Sequence, residues 1–459
     1  MATGKALNGK PYAGNPHVRF DEGEVASAAT PRRGSLLYKS STILSVLFAT
    51  VAAIPMAANA DTVTTNGVTW TYTVNNATKK TVTLGAIEGD TFDTNVTPDD
   101  TQRAMPAATQ VDASLIPWTF NVGDDTYTVT ALGSQTFNGC TGLRGTINFP
   151  SSVTTLGRAC LSSTSARMGT LGGVTTIYGY TFSSMPAQPF PDISKVTSYK
   201  KGTFYQTPFT GVARVAKSAT IGSYRAFARC AGMEGLFCPG PDTVSSGTQT
   251  YTSMNMQEFA DRATSMKCVF FGPNTKATNQ DPSTTSQRLL NGVTGCKVFV
   301  PANGFWSELK VGGSNDVIYY GATTNLDFAV DDDAGRIVAK PKTEAALLKV
   351  IESAPLFKKY FGWNTVVEVP NDLTLSAGSL TAEMFTGLEP NSLVLMFSVT
   401  TQAKMNGILA AVPSEAMIGV DPTGLTEKIT ISRYDNVFVK SAPGVEILRS
   451  ASGFMLIVK

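Results

Sequence analysis

Between residues 67 and 305 the apolar positions follow a strand period, and they recur at a longer period as well. In GVTWTYTVNNATKKTVTLG (67–85), Val68, Trp70, Tyr72 and Val74 alternate with polar residues, and Val82 and Leu84 resume the alternation after an Asn-Asn-Ala-Thr-Lys-Lys turn. Alternation with period two predicts a β-hairpin with one buried face. WTFNVGDDTYTVTAL (118–132) predicts a second hairpin turning at Gly123-Asp124-Asp125. The polar, proline-containing stretch 88–110 between them reads as a loop.

The longer period begins at VTALG (129) and recurs as VTTLG at 153, VTTIYG at 174, VTSYK at 196 and ATIGS at 219, at spacings of 24, 21, 22 and 23. A second ladder lies about eight residues further on, at Phe137, Cys160, Phe182, Phe204 and Phe227, with spacings of 23, 22, 22 and 23. A third signature is an apolar strand ending in proline, at Ile147-Asn148-Phe149-Pro150, Leu236-Phe237-Cys238-Pro239 and Val298-Phe299-Val300-Pro301. LNGVTGCKVFVP (290–301) matches FNGCTGLRGTINFP after a two-residue deletion, and FADRATSMKCVFFGP (259–273) reads as a further unit. Polar insertions at 240–255 and 274–287 separate these last units. A unit of this length closes one solenoid coil but buries its apolar side only by stacking on neighbours. The pattern predicts about seven coils over 129–305, with the aromatic ladder as interior rungs and the N-terminal hairpins as a cap.

The order V-T-x-(L/I)-G, aromatic, C-x-x-L, then a short strand ending in proline resembles the BspA-like leucine-rich repeat, most closely in units 129–150 and 219–239. Units 153–173 and 196–216 depart from it in lacking the cysteine and proline positions. The resemblance implies an exported, surface-associated protein linked to adhesion or to binding extracellular partners. It specifies fold far better than function.

After 305 the pattern changes. VIYYG and GRIVAK read as strands, and TEAALLKVIESAPLFKKYFG (343–362) places Ala346, Leu347, Val350, Ile351 and Ala354 at helical spacing. Thr343 is the expected N-cap, and Pro355 is expected to split or end the helix. SLVLMFSVT and GFMLIVK read as further strands. The expected fold is therefore mostly β: a leucine-rich-repeat solenoid with an N-terminal hairpin cap (61–128), coils over 129–305, and a β-rich or α+β domain over 306–459.

Residues 1–60 are read as a leader rather than as fold. STILSVLFATVAAIPMA (41–57) is too short for a comfortable span, Lys39 precedes it, and Ala58-Asn59-Ala60 follows in the small-x-small pattern of a signal-peptidase site, so cleavage is expected near Ala60. Arg32 and Arg33 partly resemble a twin-arginine signal, but Ser35 stands where such signals carry a bulky residue. No later apolar stretch reaches spanning length. Of 37 basic and 35 acidic residues, the first 60 positions hold six and three, leaving 31 against 32. That balance gives no electrostatic reason to expect nucleic acid as a partner.

The only histidine, His17, lies in the leader, so a cleaved chain has no Ser-His-Asp, Cys-His or histidine-ligated metal chemistry. Cys140, Cys160, Cys230, Cys238, Cys268 and Cys296 show no zinc spacing. Only Cys140 and Cys230 share a rung, about four coils apart, so reduced, buried thiols are expected, with Cys238–Cys268 the one bridge to check. Asp331-Asp332-Asp333 reads as a turn rather than a calcium loop because the D-x-D-x-D spacing is missing, and Asp99-Asp100 and Asp124-Asp125 read the same way. No catalytic, cofactor or metal residues are assigned. Tyr178, Tyr180, Tyr199, Tyr205 and Tyr224, at the flanks of the ladders, are the candidate binding surface.

Three functions stay open at this point. The first is a non-catalytic module that binds an extracellular protein or glycan. The second is a self-associating envelope component whose sheet edges pair between copies. The third is an enzyme using carboxylates in 306–459, where Glu344, Glu352, Glu368 and Glu383 offer no recognisable pairing.

Overall fold

The structure is a computed structural model that describes residues 60–85, 103–242, 251–279, 288–370, 372–376, 379–389 and 392–398, together with the strands Met417–Asp421, Val437–Lys440 and Ile447–Arg449. The expected signal segment, Asp99-Asp100 and the sequence after Arg449 lie outside the described residues.

Both predicted hairpins form. Val68–Asn76 pairs antiparallel with Thr81–Leu84, and Thr119–Val122 with Asp125–Leu132. A further strand, Asp61–Thr65, pairs with Val68–Asn76 through the turn Asn66-Gly67, whose φ values of 55° and 75° suit a two-residue primed turn. These strands do more than cap. Thr81–Leu84 runs parallel to Asp125–Leu132, which starts a ladder of Thr155–Leu156, Thr176–Ile177, Ser198–Tyr199, Thr220–Ile221, Thr252–Asn255 and Thr275–Thr278. Thr155–Leu156 and Thr176–Ile177 are V-T-x-L/I segments, Ser198–Tyr199 and Thr220–Ile221 are variants of it, and the last two rungs, TSMN and TKAT, keep the register without the motif.

A second parallel sheet closes the opposite side of the coils, in the order Gln188–Pro189, Phe209–Arg214, Met233–Cys238, Cys268–Phe271, Lys297–Pro301, Asp316–Tyr320. The proline-ended strands at 236–239 and 298–301 fall here, whereas Thr146–Ile147, ahead of Pro150, pairs with Arg167–Met168 in a separate two-stranded sheet. This sheet runs beyond position 305, since Asp316–Tyr320 pairs in register with Lys297–Pro301.

Between the two sheets each coil makes a tight turn with a recurring backbone. Gln135, Ala159, Tyr180, Gly202, Arg225 and Glu258 are left-handed, and so, four residues later, are Gly139, Ser163, Ser184, Gln206, Arg229 and Arg262. Side chains adopt this region at a cost of about 1–2 kcal/mol per residue. The cost is offset by bonds between coils: Gln135 N–H donates to Arg158 O (2.8 Å), Ala159 to Gly179 O (2.9 Å), Tyr180 to Gly202 O (3.0 Å) and Gly202 to Tyr224 O (3.1 Å). The sequence reading missed buried threonines in these turns. Thr136 Oγ1 donates to Leu84 O (2.9 Å) in the preceding strand, and Thr181 Oγ1 to Gly157 O (3.0 Å) in the preceding coil.

These turns fix the core register and correct one rung. The residue two beyond each first left-handed position is Phe137, Leu161, Phe182, Phe204, Phe227 and Ala260, so Leu161 rather than Cys160 continues the ladder. Phe182, Phe204 and Phe227 are fully buried and stacked at centroid separations of 5.3 and 5.1 Å. Coils approach too closely for side chains at some positions. A Cβ on Gly157 would stand 2.5 Å from the carbonyl carbon of Gly133 in the preceding coil. Gly157→Ala is expected to cost about 1–3 kcal/mol through the forced backbone shift, read from the urea midpoint.

After Tyr320 the chain builds a third sheet. Leu326–Asp331 and Arg336–Pro341 form an antiparallel hairpin, then Asn364–Val369, Leu393–Ser398, Met417–Asp421 and Val437–Lys440 add in parallel, and Ile447–Arg449 closes antiparallel. The helix Glu344–Leu356 makes the first parallel crossover, capped by Thr343 Oγ1, which accepts from Ala346 N–H at 3.3 Å. Pro355 does not stop it, contrary to expectation. The helix continues through Pro355 into the wider turns of Phe357–Phe361 and ends at left-handed Gly362. The bond that proline forfeits falls in the last turn, where the widened spacing absorbs it.

The third sheet and its helix are fastened to the second sheet. Phe237, Cys268, Phe270, Phe299, Ile318 and Tyr320 face away from the coil interior and join a buried cluster with Phe328, Phe357, Phe361 and Trp363. Trp363 packs on Phe237 (4.8 Å) and Phe270 (5.4 Å), and its Nε1 donates to Asp332 Oδ1 (2.6 Å). Arg214 donates to the same carboxylate oxygen (2.6 Å) and to the Phe361 carbonyl. The outer face of the second sheet is therefore covered over its last coils.

Candidate functional site

The turn edge of the solenoid gathers four of the five candidate tyrosines. Tyr178, Tyr180, Tyr205 and Tyr224 are half-buried, and Tyr180 and Tyr205 meet edge to face at 5.6 Å. Tyr199 is corrected: it is 1% exposed and forms a core rung of the first sheet between Ile177 and Ile221, its hydroxyl donating to Ile193 O at 3.3 Å. The difference is alternation. Tyr199 occupies the inward-facing position of its short strand, whereas Tyr178, Tyr180, Tyr205 and Tyr224 sit where the chain leaves a strand or turns.

Basic side chains lie over these rings, and the sequence reading did not single them out. Lys200 Nζ is 5.9 Å from the Tyr178 ring, because pairing of Ile177 with Tyr199 brings residues 178 and 200 opposite. Lys201 Nζ stands 4.6 Å over Tyr224, and the guanidinium groups of Arg158 and Arg229 stand 5.4 Å over Tyr180 and Tyr205. Arg225 also covers Tyr224 (5.4 Å), but Glu258 accepts from it at 2.6 and 3.1 Å and raises its pKa. Among the described residues, Lys200, Lys201 and Arg229 make no salt bridge. The signal in the sequence was the neighbourhood itself: YGY, YKK, FYQ and YRAFAR, spread over three consecutive coils. Rings held this way present apolar faces and polar tips, with cations pre-ordered beside them.

The remaining candidates are structural. All six cysteines are buried thiols that form no disulfide. Cys238 cannot bridge to Cys268, since the parallel register sets Cys238 opposite Phe271 and Cys268 opposite Gly235. Burial pushes the Cys230 and Cys296 thiols up to about 12, and Cys160, Cys238 and Cys268 well above the ordinary thiol range. Unfolded thiols ionise near 8.5 while the folded chain keeps these protonated. The unfolded state then binds fewer protons, so stability falls as pH rises above about 8.5, by about 1.4 kcal/mol per pH unit for each such thiol. Urea unfolding at pH 7.5 and 9.5 should show that loss, with no thiol reacting with a disulfide reagent before unfolding.

Asp331-Asp332-Asp333 lies at the hairpin turn, as expected, with Asp331 Oδ1 accepting from Ala334 N–H (3.1 Å). Asp332 has the added role of holding Arg214 and Trp363. Asp125 pairs with Lys80 at 2.6 Å. The four C-terminal glutamates are engaged separately: Glu344 with Ser376 (2.7 Å), Glu352 with Lys297 (3.0 Å), Glu368 with Lys340 (3.0 Å), and Glu383 with Thr381, which lowers its pKa.

Comparison with known proteins adds a family. Residues 124–234 match the BspA type leucine rich repeat region in six copies. No curated protein matches the chain. Among solved structures, a leucine-rich repeat protein from Bacteroides ovatus aligns over 81% of this chain and 89% of its own at 12% identity, with a TM-score of 0.32. A leucine rich cell surface protein from Faecalibacterium prausnitzii aligns over 57% and 96% at 13% identity and a TM-score of 0.24. The pneumococcal vaccine antigen PcpA aligns over 80% and 99% at 9% identity and a TM-score of 0.18. With the repeating strands and turns described above, residues 124–234 of this chain are a BspA-type leucine-rich-repeat region within a mostly β solenoid.

Proposed function

We propose that this is an exported, surface-bound or secreted protein that recognises an extracellular protein or glycan without catalysis. The observation that carries the reading is the turn edge, where Tyr178, Tyr180, Tyr205 and Tyr224 stand half-exposed under basic side chains on consecutive coils. Aromatic rings with polar tips and arginine are the side chains that dominate binding interfaces. Export is supported by the apolar segment 41–57 with its small-x-small site, and no helix among the described residues is long and apolar enough to cross a membrane. The family match supports a surface location. The separately engaged glutamates favour a non-catalytic C-terminal part. The test is binding of residues 61–459 to arrays of glycans, mucins and matrix proteins, with saturable binding expected.

Assembly is the second reading, favoured by one feature. Asp61–Thr65 is an edge strand of the first sheet, paired among the described residues only with Val68–Asn76. Such an edge offers unpaired backbone groups to another copy. Growth of particle mass with concentration, together with silent arrays, would favour it.

A further inference from the structure

We propose that the tyrosine–cation edge takes a polyanionic glycan, bearing sulfate or carboxylate groups, laid along the solenoid axis. The inference rests on the recognition reading above and names its ligand class. Exposed Lys200 and half-buried Lys201, Arg158 and Arg229 all lie on the edge. Glu258 is committed to Arg225, and Asp261 pairs with Arg262 (3.9 Å) and accepts from Asn291 (2.8 Å), so neither carboxylate is paired with Lys200, Lys201 or Arg229. Hydrogen bonds from Ala159 to Gly179, Tyr180 to Gly202, Gly202 to Tyr224 and Arg225 to Gln257 join the turns into one continuous row. Neighbouring strands in such a ladder lie about 4.8 Å apart, so the three consecutive coils that carry Tyr178 and Tyr180, then Tyr205, then Tyr224 place cation and ring at successive steps of that interval. An extended chain of sugars carrying regularly spaced anions matches that interval, with its apolar sugar faces against Tyr178, Tyr180, Tyr205 and Tyr224. An acidic protein surface would match the charge, but it does not repeat anions and flat sugar faces along one axis at the coil spacing.

The test uses residues 61–459 with dextran sulfate, unmodified dextran and polyglutamate as probes. Dextran sulfate is expected to bind saturably and to weaken with salt, since exposed charges are screened within about 8 Å at physiological ionic strength. The Lys200→Ala/Lys201→Ala/Arg229→Ala variant should lose roughly tenfold to hundredfold in affinity while keeping its thermal unfolding curve. The milder Arg229→Gln should lose part of that affinity. Equal binding of unmodified dextran, binding of polyglutamate as tight as dextran sulfate, or full retention by the triple variant would each overturn the proposal. An array ligand that binds wild type and triple variant alike overturns this inference and leaves the recognition reading standing. Arrays silent for both proteins overturn the recognition reading itself.

Discussion

Replacing Phe204 by alanine should destabilise the solenoid by about 3–5 kcal/mol. The ring is fully buried, stacked on Phe182 at 5.3 Å and Phe227 at 5.1 Å, and in contact with Phe190 (5.6 Å), Tyr199 (6.1 Å) and Phe209 (6.3 Å). Its removal opens a cavity in the middle of the aromatic ladder. The rungs on either side are held by the backbone register of their own turns, so they cannot collapse into it without breaking hydrogen bonds between coils. Tyr178→Ala, one turn away on the edge, should change stability by no more than about 0.5 kcal/mol. Chemical unfolding of the two variants separates core from edge. Equal effects would mean that the ladder is not the interior.

Trp363→Ala should cost a similar amount, about 3–5 kcal/mol, by a different route. Trp363 is the common neighbour of Phe237, Phe270, Phe357 and Phe361, and it satisfies Asp332. Without it, the cluster joining the C-terminal sheet to the second sheet of the solenoid loses its largest member. Asp332 keeps only Arg214 of the two donors that join it. Limited proteolysis of the variant should cut within 321–398 before the coils are attacked. Cleavage at the same rate as wild type would contradict the proposed fastening.

The coils were legible because period two and a period near 22 residues are both direct consequences of stacking short strands. The one-residue shift from Cys160 to Leu161 was not, because Ala159 carries the left-handed turn that in other coils falls on Gln135, Tyr180 or Arg225, and no residue type marks it. The covered face of the second sheet did leave a signal. CVFF in Cys268–Phe271 and KVFVP in Lys297–Pro301 are continuous apolar runs, which strands buried on both faces show, whereas FTGVAR in Phe209–Arg214 is mixed. The C-terminal parallel strands were harder to order, because the crossovers after the first contain no α-helix among the described residues to set a βαβ rhythm. Four of the five tyrosines lie half-buried at the turn edge, and Tyr199 lies in the core. The cations over them needed the register between coils, which pairs Tyr178 with Lys200 across 22 residues.

The central claim is that the turn edge is the recognition face. Hydrogen–deuterium exchange of residues 61–459, with and without a saturating array ligand, tests it most directly. Protection concentrated in 156–163, 178–184, 200–206 and 222–229 is the predicted result. Protection confined to 326–398, with those four turns unchanged, would contradict it.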